Sequence, residues 1–333
     1  MLRKIPNAAV KSLAKKFLQL IISLAILIVA VFFLSRLAPG EPLKAYYGDS
    51  LEKMSVLEKA AAEKKLGLDK SVIEQFFVWG ENALNGDFGI SFRYKQDVFK
   101  VIGNMYMNTL VLGGVSFLLI FIFAAVLGVF CAEREDSLAD RLICKAGTAL
   151  NSIPAFWVAL MLILIFCVNL KILPSAGAYS VGNDSFLGRL IHLILPITVL
   201  VLGHLWYFAY MVRNRMLEEM REEYVTTALA KGLTKKRIVW RHCFVNFLPS
   251  LLSIMAISLP HIVGGTYIVE KVFSYPGLGT LAFESAQYHD YNMLMVLSLL
   301  TGAIVIVSSM LLEFVNVKID PRMKKDAGRE IYE

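Results

Sequence analysis

Two patterns of polar side chains interrupt this otherwise apolar sequence. The first is YVTTALAKGLTKKRIVWRHCFVNFLP, Tyr224 to Pro249, where small residues and one glycine separate an acidic segment from a basic one. Small residues let a second surface approach, a lysine offers charge and hydrogen bonds, and glycine permits a bend that side chains would block. Such a run can receive a second surface, or can be a charged loop that merely stabilises topology, the reading composition alone favours. The second pattern is a thin scatter of Asn151, Ser152, His204, Ser258 and His261, with Glu270 and Glu313 near the ends of apolar stretches. Histidine inside a membrane more often bonds a neighbouring helix than a ligand. Lining a hydrophilic path is the other reading, and Asn151, Ser152, His204 and His261 are carried forward as candidates for it.

The sequence lacks the motifs of catalysis. It has no G-x-x-x-x-G-K-[S/T] phosphate loop, so ATP hydrolysis by the commonest route is not expected of this chain. H-E-x-x-H, G-x-S-x-G and the Rossmann glycine pattern are absent as well. Cys131, Cys144, Cys167 and Cys243 show neither metal spacing nor a disulfide pattern and read as small buried apolar residues. No catalytic, cofactor-binding or metal-binding residue is expected. Acidic residues at mid-membrane, which an ion-coupled secondary transporter uses to bind its cation, are missing from the centres of the apolar stretches.

The elements that must position these residues are membrane helices. Of the 333 residues, 57% are hydrophobic, and the excess falls in blocks of about 20, the length that crosses a bilayer core. Six blocks are expected as spans, at 17–37, 109–131, 143–170, 190–212, 247–269 and 292–317. The first follows Arg3, Lys4, Lys11, Lys15 and Lys16 like a signal peptide. Its apolar run is too long for one, however, and SRLAPGEP offers no small-x-small cleavage site, so a retained span is expected.

Most of the 34 lysine and arginine residues lie in the arm 1–16, the connection after the second span, the segment 213–246 and the tail 318–333. These regions share one side of a six-span chain, and the positive-inside bias makes that side, with both termini, cytoplasmic. The net charge of +7 thus reflects topology and attraction to membrane lipid, and no nucleic acid is implied. The segment 38–108 then faces outward. It carries helical signals: LEKAAAEKKLG stopping at Gly67, a capping box at Ser71–Glu74, and an amphipathic piece, Asp97 to Met107, running into the second span. In the last external connection Pro276-Gly277 signals a turn, a short helix from Thr280 to Tyr288 should follow, and Tyr288 and Tyr291 should sit at headgroup level.

In the opening run, Met216, Leu217, Met220, Tyr224, Val225, Ala228 and Leu229 keep helical spacing, and Thr234 is placed to cap a second helix carrying Lys235, Lys236, Arg237 and Arg241. A short helical elbow bent at Gly232 is expected. The order T-T-A-L-A-K-G (Thr226–Gly232), followed by Leu248-Pro249, resembles the EAA loop of ABC importer permeases. Thr226 replaces a frequent glutamate, and the interval from Gly232 to Pro249 exceeds that of sugar-type permeases. The dipeptide/oligopeptide/nickel branch shares both departures. Its landmarks are similar to LAPGEP, KLGLDKSVIEQF, NGDFGISF, SIPAFW, LPSAG, RNRMLEEMREEYVTTALAKGL, FSYPGLG, Asp290-Tyr291 and VNVKIDPR, in that order. The long loop after the first span makes the chain most similar to the B-type permease.

The resemblance implies an all-α polytopic protein with six transmembrane helices in the type I ABC importer permease fold and a small helical extracytoplasmic segment at 38–108. The permease core would be 109–317. The chain would lie in the bacterial plasma (inner) membrane with a second, homologous permease subunit as a heterodimer. Two cytoplasmic ABC ATPase subunits would bind ATP and Mg, and an extracytoplasmic solute-binding protein would deliver peptides. Nickel chelates or another small polar solute are the alternative cargo, and an ion-coupled secondary transporter or a membrane scaffold without a path are the alternatives in kind. The resemblance places the ATPase-coupling contact on Tyr224, Thr227, Ala228, Ala230, Lys231, Gly232 and Leu233.

Overall fold

The structure is a computed structural model that describes residues 7–37, 40–179 and 185–319. Arg3, Lys4, the Ala38-Pro39 pair of LAPGEP and the tail from Asp320 lie outside the described residues. Every regular element among those described is helical, apart from one isolated antiparallel bridge, Ile90 to Asp97. The helices are α1 (Asn7–Leu37), α2 (Pro42–Tyr47), α3 (Val56–Leu66), α4 (Val72–Leu84), α5 (Val98–Glu133), α6 (Leu138–Asn151) and α7 (Ala155–Leu162). After them come α8 (Phe186–Met220), α9 (Glu223–Ala230), α10 (Lys235–Ile238), α11 (Phe244–Val272), α12 (Leu278–Gln287) and α13 (Tyr291–Ile319). A wide π turn, Ile163–Asn169, extends α7, and another, Val239–Cys243, joins α10 to α11 without a break.

Among the described residues, five helical segments are long and apolar enough to cross a membrane: Leu18–Leu37, Val98–Glu133, Phe186–Met220, Lys235–Val272 and Tyr291–Ser308. The expected third span departs from this pattern. Its halves, α6 and α7, meet at 95°, and only together do they make a sixth crossing. Pro154 causes the break, because it has no N–H to donate and forces the residue before it out of helical geometry. The chain closes α6 through tight bonds, Ser152 N to Ala149 O at 3.2 Å and Ile153 N to Leu150 O at 3.2 Å.

The chain divides into two compact units, one comprising 1–109 with 276–306 and the other 110–275 with 307–333. In the first, α3 and α4 each begin with a full capping box, Ser55 with Glu58 and Ser71 with Glu74, and Gly67 ends α3 in the left-handed conformation at φ +67°. Backbone N–H donation from Ser55 and Ser71, then the serine hydroxyls, hold both exposed glutamates below the usual carboxylate range.

The NGDFGISF loop is fastened to the turn before α13 by Asp290, which is buried. Its carboxylate accepts from the Ser91 hydroxyl, from Arg93 N at 3.3 Å and from Met293 N at 3.3 Å. Asn292 Nδ2 donates to Ile90 O at 3.0 Å alongside. Tyr94 donates to Glu284 at 3.0 Å, and its phenol is pushed up to about 12, chiefly by burial and then by that carboxylate. Tyr291 is 5% exposed and packs under the Arg36 guanidinium, whose carbon lies 4.4 Å from the ring centre.

The second unit is organised around a core in which α5, α8 and α11 pack with the cytoplasm-assigned segment, burying Val129, Val212, Met216, Ile238, Cys243 and Phe247. Arg213 grips Asp140 with two bonds, 2.7 and 2.6 Å, tying the start of α6 to α8. LPSAG and FSYPGLG also meet here, through Gly177 N donating to Phe273 O at 2.9 Å.

Candidate functional site

The run 213–246 folds into an elbow with two bends where one was expected. α8 stops at Met220, with Arg221 N donating to Glu218 O at 3.1 Å, and α9 restarts after Glu222. The helical spacing from Met216 to Leu229 therefore continues in phase across a break, which spacing alone does not reveal. The second bend is at Gly232, whose φ of +80° favours a residue without Cβ. Around it Lys231 N reaches Thr227 O at 3.1 Å, Gly232 N reaches Leu229 O at 2.9 Å, and Leu233 N reaches Ala228 O at 3.2 Å. These bonds use the last carbonyls of α9, as a glycine-terminated helix does.

The second limb is not a short helix, because α10 runs straight on to Val272. Thr234 stands at its first position with extended backbone, yet its hydroxyl makes no capping bond. The limb is instead held by Lys235, whose Nζ donates to Glu133 O at the end of α5 at 2.8 Å. Arg221 pairs with Glu135 at 2.8 Å, so both sides of the elbow are moored to the same helix end.

The structure sorts the seven candidate elbow residues onto two faces. Ala228, 9% exposed, packs in the core with Ile238 and Val239, and Tyr224, Val225 and Leu233 lie partly buried against it. Tyr224 donates to Glu219 Oε1 at 2.7 Å. Its phenol is pushed far up, first by burial and then by its bonds to Cys243 and Glu219, so it is a neutral prop. Thr227, Ala230, Lys231 and Gly232 are exposed, together with Thr226 and with Leu229 at 51%. Ala228 therefore cannot offer close approach to a partner, whereas Ala230 can. Leu229, which the helical spacing grouped with the buried positions, is exposed and adds an apolar knob to this ridge.

The second pattern of polar residues also converges. A cavity of about 350 Å³ is lined by Asn151, His204, Tyr207, Ser258 and His261 with apolar neighbours Phe208 and Ile257. His204 and Tyr207 lie one turn apart on α8, and Ser258 and His261 one turn apart on α11, so each pair faces the same way. His204 Nδ1 is 2.9 Å from Leu200 O, leaving Nε2 as the ring's other polar atom. Gly265 permits this packing, since a Cβ there would meet His204 Cε1 at 2.9 Å. Ser152 does not line the cavity; its hydroxyl bonds back to Thr148 O at 3.0 Å. Tyr207 was missed, although its spacing from His204 marks it. Among the described residues no group of three potential metal ligands forms.

The second unit thus joins an elbow with an exposed ridge to helices that line a cavity with a few polar side chains. Residues 124–325 match the family described as binding-protein-dependent transport system inner membrane component. The chain belongs to this family. It is 30% identical over 295 residues to the oligopeptide transport system permease protein AppB of Bacillus subtilis, covering 88% of this chain and 92% of AppB. It is 31% identical over 315 residues to OppB, the oligopeptide transport system permease protein of Haemophilus influenzae, covering 94% and 99%. The fold is similar to an inward-facing conformation of the MetNI methionine ABC transporter, with a TM-score of 0.51 and 20% identity over 65% of this chain and 97% of that one. The fold class expected from the sequence, a type I ABC importer permease, is the one observed. As a family member the chain is a multi-pass inner-membrane component of a transport system that works with a binding protein and an ATPase.

Proposed function

We propose that this permease forms half of a translocation path for di- or oligopeptides and couples it to cytoplasmic ATPases through the α9 elbow. The other half is a second, homologous permease in a heterodimer; two ABC ATPases hold ATP and Mg, and an extracytoplasmic solute-binding protein presents the peptide. No catalytic step falls to this chain. Both termini and the elbow face the cytoplasm, in keeping with the distribution of lysine and arginine. The oligopeptide names carried by AppB and OppB favour peptides over nickel chelates or other polar solutes.

The observation that carries the coupling role is the exposed ridge from Thr226 to Gly232 on an elbow whose inner face is locked into the core. A ridge that moved independently of the spans could not transmit force; this one is tied to α5, α8 and α11. Coupling further requires that its contact free energy differ between ATPase states. The ridge touches the ATPase through Thr227, Ala230, Lys231 and Gly232, while Tyr224, Ala228 and Leu233 hold its shape. The cavity of Asn151, His204, Tyr207, Ser258 and His261 supplies hydrogen-bond donors and acceptors to a passing peptide backbone.

The test is to reconstitute the permease pair with its ATPases and binding protein in vesicles and compare wild type with Gly232→Trp. Membrane insertion should persist and ATP hydrolysis continue, while peptide uptake falls by a large factor. Normal uptake at a normal ratio of peptide to ATP would overturn the coupling role.

A further inference from the structure

A cation without a counter-ion stands in the first unit. Arg36 lies on the last turn of α1, its guanidinium carbon 3.6 Å from the centre of the Phe32 ring and 4.4 Å from that of Tyr291. Nη1 donates to Ser35 Oγ at 3.0 Å. Nε is buried without a partner, and among the described residues no carboxylate lies within ion-pair distance of the group. A guanidinium taken partly out of water and left unpaired is unfavourable, and native structures match such charges with an anion.

The cavities beside it define what the anion can be. One of about 140 Å³ is lined by Arg36, Lys70, Gln75, Trp79, Asn82 and Tyr291, with no acidic residue. Trp79 Nε1 is a second buried donor without a partner, and its ring packs on Phe32 beside Arg36, centroids 6.4 Å apart. A neighbouring cavity of about 440 Å³ shares Arg36 and Tyr291, but Glu41 and Glu63 offset Lys59 there. The positive excess belongs to the smaller space, whose volume suits one phosphate-sized group. A planar guanidinium with an added lysine fits a phosphate oxygen pair.

Below the cavity α1 presents an apolar face to its surroundings, with Ile26, Leu34 and Leu37 at 65, 66 and 79% exposed. A cationic pocket beside the last turn of a span that also carries exposed apolar side chains is complementary to a lipid: head in the pocket, chains along the helix. We propose that this pocket binds the phosphate of one membrane phospholipid, gripped by Arg36 and Lys70, and that the bound lipid fastens the α3–α4 cap to the first span. The inference does not depend on the cargo or on the elbow.

The transporter purified with its partner subunits, stripped of lipid, would be titrated with palmitoyl-oleoyl phosphatidylglycerol and bound lipid counted by native mass spectrometry. Wild type should retain one lipid more tightly than Arg36→Gln by about tenfold, as loss of a charge-assisted bond predicts. Arg36→Lys should recover part of that affinity. Lys70→Gln, a change at an exposed position that spares the fold, should weaken it by a smaller factor. Equal lipid binding in wild type, Arg36→Gln and Lys70→Gln would overturn the proposal. So would binding of inorganic phosphate without lipid, or displacement of the lipid by the solute-binding protein, which would give the pocket to a protein carboxylate.

Discussion

Two glycine-bearing bends, one in each unit, show how the same residue type serves unlike ends. Gly89, in the loop fastened by Asp290, has φ +85°, and a Cβ there would lie 2.5 Å from Asn292 Nδ2. Gly232, in the elbow, has φ +80°, yet a Cβ there would meet nothing within 4 Å. Gly89 is constrained by its own fold on two counts, backbone and crowding. Gly232 is constrained by backbone alone, as are Gly67 and Gly86, which also have nothing within 4 Å. Open space around a left-handed glycine therefore leaves room for a partner without by itself marking a docking point, whereas crowding, as at Gly89, ties the glycine to its own fold.

The largest effect should come from breaking the scaffold at its centre. Asp290→Ala leaves the Ser91 hydroxyl and the Arg93 and Met293 N–H groups without their acceptor. Each orphaned buried donor costs about 1–3 kcal/mol, and the three act as one cluster, so a loss of about 3 kcal/mol is expected. Thermal unfolding of the purified chain should show it, with the amount of folded protein falling in parallel. An unchanged midpoint would mean that this loop is not fastened in the way described.

Next in size is Gly89→Ala. Left-handed backbone costs a non-glycine residue about 1–2 kcal/mol, and displacing Asn292 loosens its 3.0 Å bond to Ile90 O. Stability should fall, but uptake per folded transporter should not. Gly232→Asn sharpens the contrast from the other side, because asparagine tolerates the left-handed region. Its stability should stay within about 1 kcal/mol of wild type. Uptake should nonetheless drop, since a side chain now occupies the docking space. If Gly232→Asn transports normally while Gly232→Trp does not, the bend matters and close approach does not.

The parts of the fold that could be read from sequence are those set by composition and by local chemistry. Apolar blocks of bilayer length marked the spans, and Ser71-x-x-Glu74 marked the start of α4, because capping is decided within four residues; the matching box at Ser55 and Glu58 was there to be read and was passed over. The 95° turn between α6 and α7 was hidden, since hydropathy registers composition and not direction, even with Pro154 in view. The contact between Tyr291 and Arg36 was hidden because the two lie at opposite ends of the sequence. In the elbow, Ala228 and Ala230 were given one role, but positions two apart on a helix differ by about 200° and cannot share a face. The cavity was half legible: its polar residues could be named, but not that two histidines and a tyrosine from α8 and α11 would meet around one space.

The smallest effect concerns the helices α3 and α4, and it separates them from the elbow by pH. Glu58 and Glu74 are fully exposed, but each accepts from a serine N–H and hydroxyl at the head of its helix, Ser55 N at 2.7 Å and Ser71 N at 3.0 Å. Their folded pKa values lie below the unfolded value of 4.5, so the folded state favours the ionised form. The stabilising contribution is therefore complete above the unfolded pKa and fades as pH falls through the depressed folded one. The elbow's first turn lacks any side-chain cap of this kind: Glu222 makes no capping bond to α9. Amide exchange at Ser55 and Ser71 should accelerate, relative to the intrinsic rate, as pH falls through the depressed carboxyl pKa, while the amides of α9 keep their protection. Ser71→Ala should abolish that pH dependence at α4 and leave α3 unchanged. Equal acid sensitivity in α9 would show that the Tyr224–Glu219 and Arg221–Glu135 contacts, rather than the packing of Ala228, carry the elbow's stability.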